Sequence, residues 1–399
     1  MIVIQHSPKR VVVNVYGEFS LADYQEFEAL VNFKVKFEGP VDLFFDLREM
    51  ADFTLDVAWE ELVFARAHPN DFRRIAVLTH DQWIAWSAWL AQIFVNAQMR
   101  VFDDETDALF WLDENREDAE ASFSSLISCA DLAEHLDNEN WRIFDARHRL
   151  NDLDYGEKSY AQGHLPGAAF LHLDRDLSGP KDASMGRHPL PNVAVFAQKL
   201  GELGVTPKTQ VVVYDDAGGV MASRLWWMLR WLGHERVAVL DGGLPQWLKE
   251  GRSLTSDIPE FSAASFVPQP QDWVVSSEAV LANLEQNEFV VIDARAPDRF
   301  RGENETLDPV GGHIPGARNR FFRDNLDAEG LFRAPAELRR EFLALLAGSE
   351  AENVVMQCGS GVSACHNLLA MEVAGLRGAK LYAGSWSAWC SDPRRPVAR

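Results

Sequence analysis

The chain has 399 residues, 47% of them apolar, enough for two or three separate cores and more than one domain holds. Its formal charge of −22 repels polyanions, which argues against nucleic acid, and basic pairs such as Arg339 and Arg340 read as solvated surface. No apolar run reaches the roughly 20 residues of a membrane span, and Met1 to Pro8 with Lys9 and Arg10 lacks a secretion pattern, so a cytoplasmic location is expected.

In chain order, the first 115 residues predict a strand Arg10 to Tyr16, a helix Ala22 to Phe33, a strand Val41 to Leu47 and a helix Ala58 to Ala67. A strand Arg74 to Leu78, an aromatic helix and a short strand Met99 to Phe102 complete a small α/β unit. Trp83, Trp86, Leu90 and Phe94 recur at helical spacing and read as core, with Trp89 off that stripe. Gly17-Glu18-Phe19-Ser20, Asp46-Leu47-Arg48 and Arg74-Ile75-Ala76-Val77 give this unit a resemblance to SpoIIAA-like (STAS-type) domains.

The remaining two thirds repeat themselves at four points in the same order. Asp145-Ala146-Arg147 after an apolar run matches Asp293-Ala294-Arg295. Gly163-His164-Leu165-Pro166-Gly167-Ala168 matches Gly312-His313-Ile314-Pro315-Gly316-Ala317. Val211 to Tyr214 before Asp215-Asp216 matches Val354 to Gln357 before Cys358. Asp241-Gly242-Gly243 with Trp247 matches Ala383-Gly384-Ser385 with Trp389. Short apolar runs alternating with helical stretches (Leu225 to Leu232, Cys365 to Ala374) predict parallel strands joined by crossover helices. The expected architecture is α/β throughout: residues 1–115, then two sheet domains flanked by helices at 125–252 and 273–399. A Ser/Pro/Ala-rich linker, Arg252 to Asp272, separates the copies, and another junction falls near Asn115 to Ser128.

Four cysteines, Cys129, Cys358, Cys365 and Cys390, with no CxxC pair, fit neither a disulfide framework nor a zinc site and read as reduced thiols. Cys358-Gly359-Ser360-Gly361-Val362-Ser363-Ala364 is a Gly-rich turn between a buried-type strand and a helix. Such a turn exposes a thiol where open α/β sheets bind ligands, and its converging amides and the helix end favour thiolate over thiol. A Cys-x5-Arg phosphatase would need an arginine where Ala364 stands.

With the repeat and the Gly-His-Ile-Pro-Gly-Ala motif, this loop resembles the tandem rhodanese family over about residues 125–399. Gly-Ser after the cysteine resembles its 3-mercaptopyruvate sulfurtransferase branch, and Ser363 stands where the family usually has Thr. The resemblance implies a Cys358 persulfide, amides of Gly359, Gly361, Val362 and Ser363 around it, and a non-catalytic first copy. Aligning Gly242 with Gly384 puts Asp216 opposite Cys358. Arg224 is matched to the family's substrate-binding arginine, for which a guanidinium fork suits a carboxylate, with Arg187 second. A proton relay through His164, Asp154 or Asp152, and Ser360 is implied, against a purely structural His164 of the kind expected for His313.

The implied reaction takes sulfur from 3-mercaptopyruvate, a small-molecule donor, to a thiol or cyanide, with a thioredoxin-like protein among the thiol acceptors. Thiosulfate is the rival donor. A persulfide carrier docking a partner through residues 1–115, and a Cys358–Cys365 thiol switch, are the competing classes. Neither metal nor organic cofactor is implied.

Overall fold

A computed structural model describes residues 2–7, 10–38, 41–53, 72–79, 98–113 and 122–399. The expected helix 58–67 and the Trp83, Trp86, Leu90, Phe94 stripe with Trp89 lie outside these residues, as do residues 115–121 of the 115–128 junction. Two compact units result, the first holding the N-terminal residues and the second nearly all of the repeat.

The N-terminal unit is a five-stranded sheet in the order β1-β2-β3-β4-β5. β1 (Ile2–Ser7), not foreseen, pairs antiparallel with β2 (Arg10–Phe19), while β3 (Val41–Phe53), β4 (Phe72–Leu78) and β5 (Gln98–Phe102) continue in parallel. Val11, Val13 and Val15 alternate onto one face. They meet Tyr24, Phe27, Val31 and Val35 of helix α1 (Leu21–Glu38), whose spacing makes one apolar stripe. Ser20 and Asp23 cap that helix reciprocally, Ser20 N–H donating to Asp23 at 3.0 Å and Asp23 N–H to Ser20 Oγ at 3.4 Å. A second helix, α2 (Glu105–Asp113), covers the other face through Ala108, Trp111 and Leu112.

In the repeat, the first copy is a parallel sheet in the order β6-β10-β9-β7-β8 (Leu126–Ile127, Val237–Leu240, Gln210–Tyr214, Trp141–Asp145, Ala168–Phe170). The second copy has the order β12-β11-β13-β14 (Arg318–Asn319, Val290–Asp293, Val354–Gln357, Lys380–Leu381), again parallel. Val274 makes a bridge to Leu381 where the first copy has β6. Helices α3 (Ala222–Trp231) and α4 (Ser363–Val373) follow the central strands and are buried nearly all round. The linker has no regular element, yet Thr255, Ala264, Gln269 and Gln271 tie it to the first copy by backbone hydrogen bonds.

The repeated motifs are two halves of one lock. In both Asp-Ala-Arg motifs the carboxylate accepts the N–H two residues on at 2.9 Å and the arginine fork at 2.6 Å. The same arginine donates to the glycine carbonyl of the Gly-His motif, Gly163 at 2.8 Å and Gly312 at 2.7 Å. Asp46-Leu47-Arg48 closes on itself in the same way where β3's pairing with β4 ends.

Candidate active site

Cys358 follows directly on β13, 2% exposed. Its N–H donates to Ser385 Oγ at 3.0 Å, and Gly361 N–H donates to its Sγ at 3.2 Å. Gly361 must be glycine: its φ is +79°, and a Cβ there would stand 2.5 Å from the Ala383 carbonyl. The turn therefore bends back under the sulfur before α4 begins at Ser363.

The first copy shows what such a turn holds. Asp145 pairs with Tyr214 as Asp293 pairs with Gln357, so the residue opposite Cys358 is Asp215. Leu244 N–H to Asp215 O and Trp386 N–H to Cys358 O repeat the same bond. The expected Asp216 is displaced by one because the connection from Asp215 to Gly243 is one residue longer than that from Cys358 to Ser385. Asp215 turns its carboxylate into its own loop and accepts four backbone N–H groups, from Ala217, Gly219, Met221 and Ala222, at 2.7 to 2.9 Å. This architecture thus gathers amides around one negative group at the strand end.

Beside Cys358, Ser360 Oγ lies 2.7 Å from Nδ1 of His188, a residue of the first copy. On its other side, His188 Nε2 faces Asp174 Oδ1 at 3.7 Å, an electrostatic contact longer than a hydrogen bond. Burial pushes His188 down to about 3, against the pull of Asp174 and with the repulsion of Arg224 and Arg187. The imidazole is therefore neutral. The carboxylate facing Nε2 favours the proton there, leaving Nδ1 to accept from the Ser360 hydroxyl. Burial opposes the charge on Asp174, but the Lys181 ammonium at 3.0 Å holds its carboxyl below the usual range.

His148, His172 and Asp174 have potential ligand atoms within 4.8 Å of one another. His172 is already engaged at both nitrogens, accepting from Asp174 N–H at 3.0 Å and lying 3.0 Å from the Leu153 carbonyl. With the Lys181 ammonium on Asp174 as well, the group does not offer three free donors to a cation.

A cavity of about 240 Å³ opens onto the thiol. Gly359, Ser360, Val362 and Ser363 line it, with Arg187 and His188 from the first copy and Arg299, Phe321 and Phe322 from the second. Arg187 and Arg299 converge over Gly359: a Cβ there would lie 2.8 Å from an Nη of the first and 3.7 Å from one of the second. Both are paired. Asp308 bridges them, Oδ1 to Arg187 and Oδ2 to Arg299 at 3.4 Å, and Glu305 takes the Arg299 fork at 2.8 Å.

Similarity to known proteins follows the same division. The profile of the rhodanese-like domain matches residues 128–250 and 276–392, and the SpoIIAA-like profile matches residues 10–113. The chain belongs to the rhodanese family. Among curated relatives, one named "Probable 3-mercaptopyruvate sulfurtransferase" from Pseudomonas aeruginosa is 46% identical over 280 residues, covering 69% of this chain and 99% of its own. The thiosulfate sulfurtransferase of Bos taurus is 36% identical over 279 residues, covering 67% and 92%. Among solved structures, SseA from Escherichia coli, a 3-mercaptopyruvate sulfotransferase, shares 34% identity over 66% of this chain and 99% of its own, with TM-score 0.58. The enzyme class of this rhodanese is sulfur transfer.

Several residues expected at the site lie elsewhere. His164 is fully buried, stacked on Tyr160 at 3.8 Å, with its two ring nitrogens 2.9 Å from the Tyr160 carbonyl and 3.0 Å from that of Asp257. Its backbone bonds in both directions to Thr255, as that of His313 does to Ala398. Both rhodanese histidines thus pin the chain that leaves their domain, and neither is brought to Ser360. Asp154 is exposed and 3.2 Å from Lys158, and Asp152 is exposed too.

Arg224 does not line the cavity. It is fully buried behind the loop, where Nη1 and Nη2 donate at 3.1 Å to the carbonyls of Gly361 and His188, so it holds the two halves of the site together. Cys365, the other thiol of the proposed switch, is buried and donates to Gly361 O at 3.3 Å; burial pushes it up to about 12, so it stays a thiol. Sequence reasoning missed His188, Asp174, Arg299 and Asp308. Gly186-Arg187-His188-Pro189 carried the signal, but attention went to its arginine, and Asp174 sits in no repeated motif.

Proposed function

We propose that this chain moves sulfur from 3-mercaptopyruvate to a thiol or cyanide through a persulfide on Cys358, with the nucleophile in residues 273–399 and none in residues 125–252. The Cys358 thiolate attacks the sulfur of mercaptopyruvate, forming an S–S bond. The C–S bond breaks, and its electron pair leaves on carbon as the pyruvate enolate. That enolate must take up a proton. The Ser360 hydroxyl can give one and take back the proton that the donor's thiol left on the persulfide, while neutral His188, oriented by Asp174, holds that hydroxyl in place. In the second half, an acceptor thiolate or cyanide attacks the outer sulfur and the Cys358 thiolate departs. The loop amides hold the outer sulfur as Asp215's amides hold its carboxylate.

The observation that carries this choice of donor is the Ser360–His188 contact of 2.7 Å. Thiosulfate would release sulfite, a stable anion that needs no proton, so a built proton path favours a carbon leaving group. The four free cysteines fit a cytoplasmic location. The test compares pyruvate and sulfide release from 3-mercaptopyruvate, with a thiol acceptor, against thiocyanate formation from thiosulfate and cyanide. Wild type should prefer mercaptopyruvate strongly and Cys358→Ser should be inactive with both. Turnover surviving in the serine variant, or absent in wild type with either donor, overturns the proposal.

A further inference from the structure

We infer that Asp308 is a specificity-determining residue: by occupying Arg187 and Arg299 with its own carboxylate, it tunes the site to singly charged sulfur donors and against doubly charged ones. The inference rests on the sulfur-transfer reading above and adds the charge class of the donor.

The two guanidinium groups converge within 4 Å of one point above Gly359, beside the thiol, and both line the cavity. Such a pair would by itself draw dianions strongly. Here it is not free. Asp308, whose side chain is 3% exposed, spans both arginines, and Glu305, equally buried, takes the fork of Arg299 and approaches Arg295 at 3.5 Å. Arg295 is further paired with Asp293 at 2.6 Å. Three arginines that line the cavity are thus each paired with buried carboxylates, Asp308, Glu305 and Asp293. Each negative charge that enters must share a cation that already has a partner, and two such charges cost more than one. A keto acid carrying one carboxylate and a neutral thiol fits this balance; thiosulfate fits it badly. The first copy shows the same device, since Asp215 fills its amide-lined loop with an internal carboxylate.

Asp308→Asn keeps the shape and removes the charge, freeing one guanidinium. The ratio of kcat/KM for thiosulfate to that for mercaptopyruvate should rise roughly tenfold. Arg187→Met does the reverse, leaving Asp308 with one cation fewer, and should lower that ratio; this second variant carries the test if the first does not fold. Inhibition by sulfate relative to pyruvate should move with the ratio, a readout independent of the sulfur chemistry. If wild type turns over and the ratio is unmoved in both variants, Asp308 only braces the arginines and the inference fails. If wild type uses neither donor, the sulfur-transfer reading itself fails and this inference falls with it.

Discussion

A neutral buried histidine on a serine hydroxyl is costly unless it works. His188 is kept at about 3 by burial, so at neutral pH it rests uncharged and can accept the Ser360 hydroxyl's hydrogen bond without adding a cation beside the thiol. His188→Asn should therefore lower kcat with mercaptopyruvate by roughly a hundredfold, the low end for general acid–base catalysis. Thiosulfate turnover in the same variant should fall far less, because sulfite leaves unprotonated. Steady-state kinetics with both donors checks this; equal losses would mean that His188 only shapes the loop. Arg224 is a different kind of residue. Its two hydrogen bonds go to main-chain carbonyls, so it acts on the site through the backbone.

Among elements, the turn 182–188 of the first copy matters most, because it carries Arg187 and His188 across to the second. Its approach is close. Gly186 has φ +89°, and a Cβ on it would stand 2.5 Å from the Gly384 carbonyl and 2.9 Å from Ser387 Oγ. Arg187 N–H then donates to that Ser387 Oγ at 3.1 Å. Gly186→Ala should lift this turn, moving His188 off Ser360 and Arg187 off Asp308 without altering any reacting group. The expected result is a loss of kcat/KM of at least about tenfold with a thermal midpoint reduced by only a few degrees. A fully active Gly186→Ala would show that the turn tolerates displacement.

Across the whole molecule, buried histidines set the response to acid. His234 and His366 are held down to about 4 by burial, and His188 to about 3, from an ordinary value of 6.5. The unfolded chain binds these protons first, so stability is fully present above pH 6.5 and drains as pH falls toward 4. Denaturation midpoints measured from pH 7.5 to 5 should decline steadily. His234→Asn, remote from the thiol, should make that decline shallower by one proton's worth, whatever it does to stability at pH 7.5. An unchanged slope would show that His234 is already protonated in the folded chain. Among the described residues no helix is long and apolar enough to cross a membrane.

Sequence alone determined the α/β class, the internal repeat and the loop around Cys358, because alternation, glycine at positive φ and a strand-to-helix turn are local properties. It missed β1, since six residues at the chain start, Ile2–Ser7, carry too short a pattern. It also pointed to His164 as the histidine near Ser360, where the structure brings His188. His164 and His188 are both histidines in Gly- and Pro-containing turns of the first copy, and nothing local separates them. What separates them is where each turn goes: the Gly163-His164 turn is locked inward by Arg147 and Thr255, while the 182–188 turn reaches the other domain. The pairing of Arg187 with Asp308, 121 positions apart, was equally illegible. Only tertiary structure decides which charges meet, because charge pairing acts through space and leaves no periodicity in the chain.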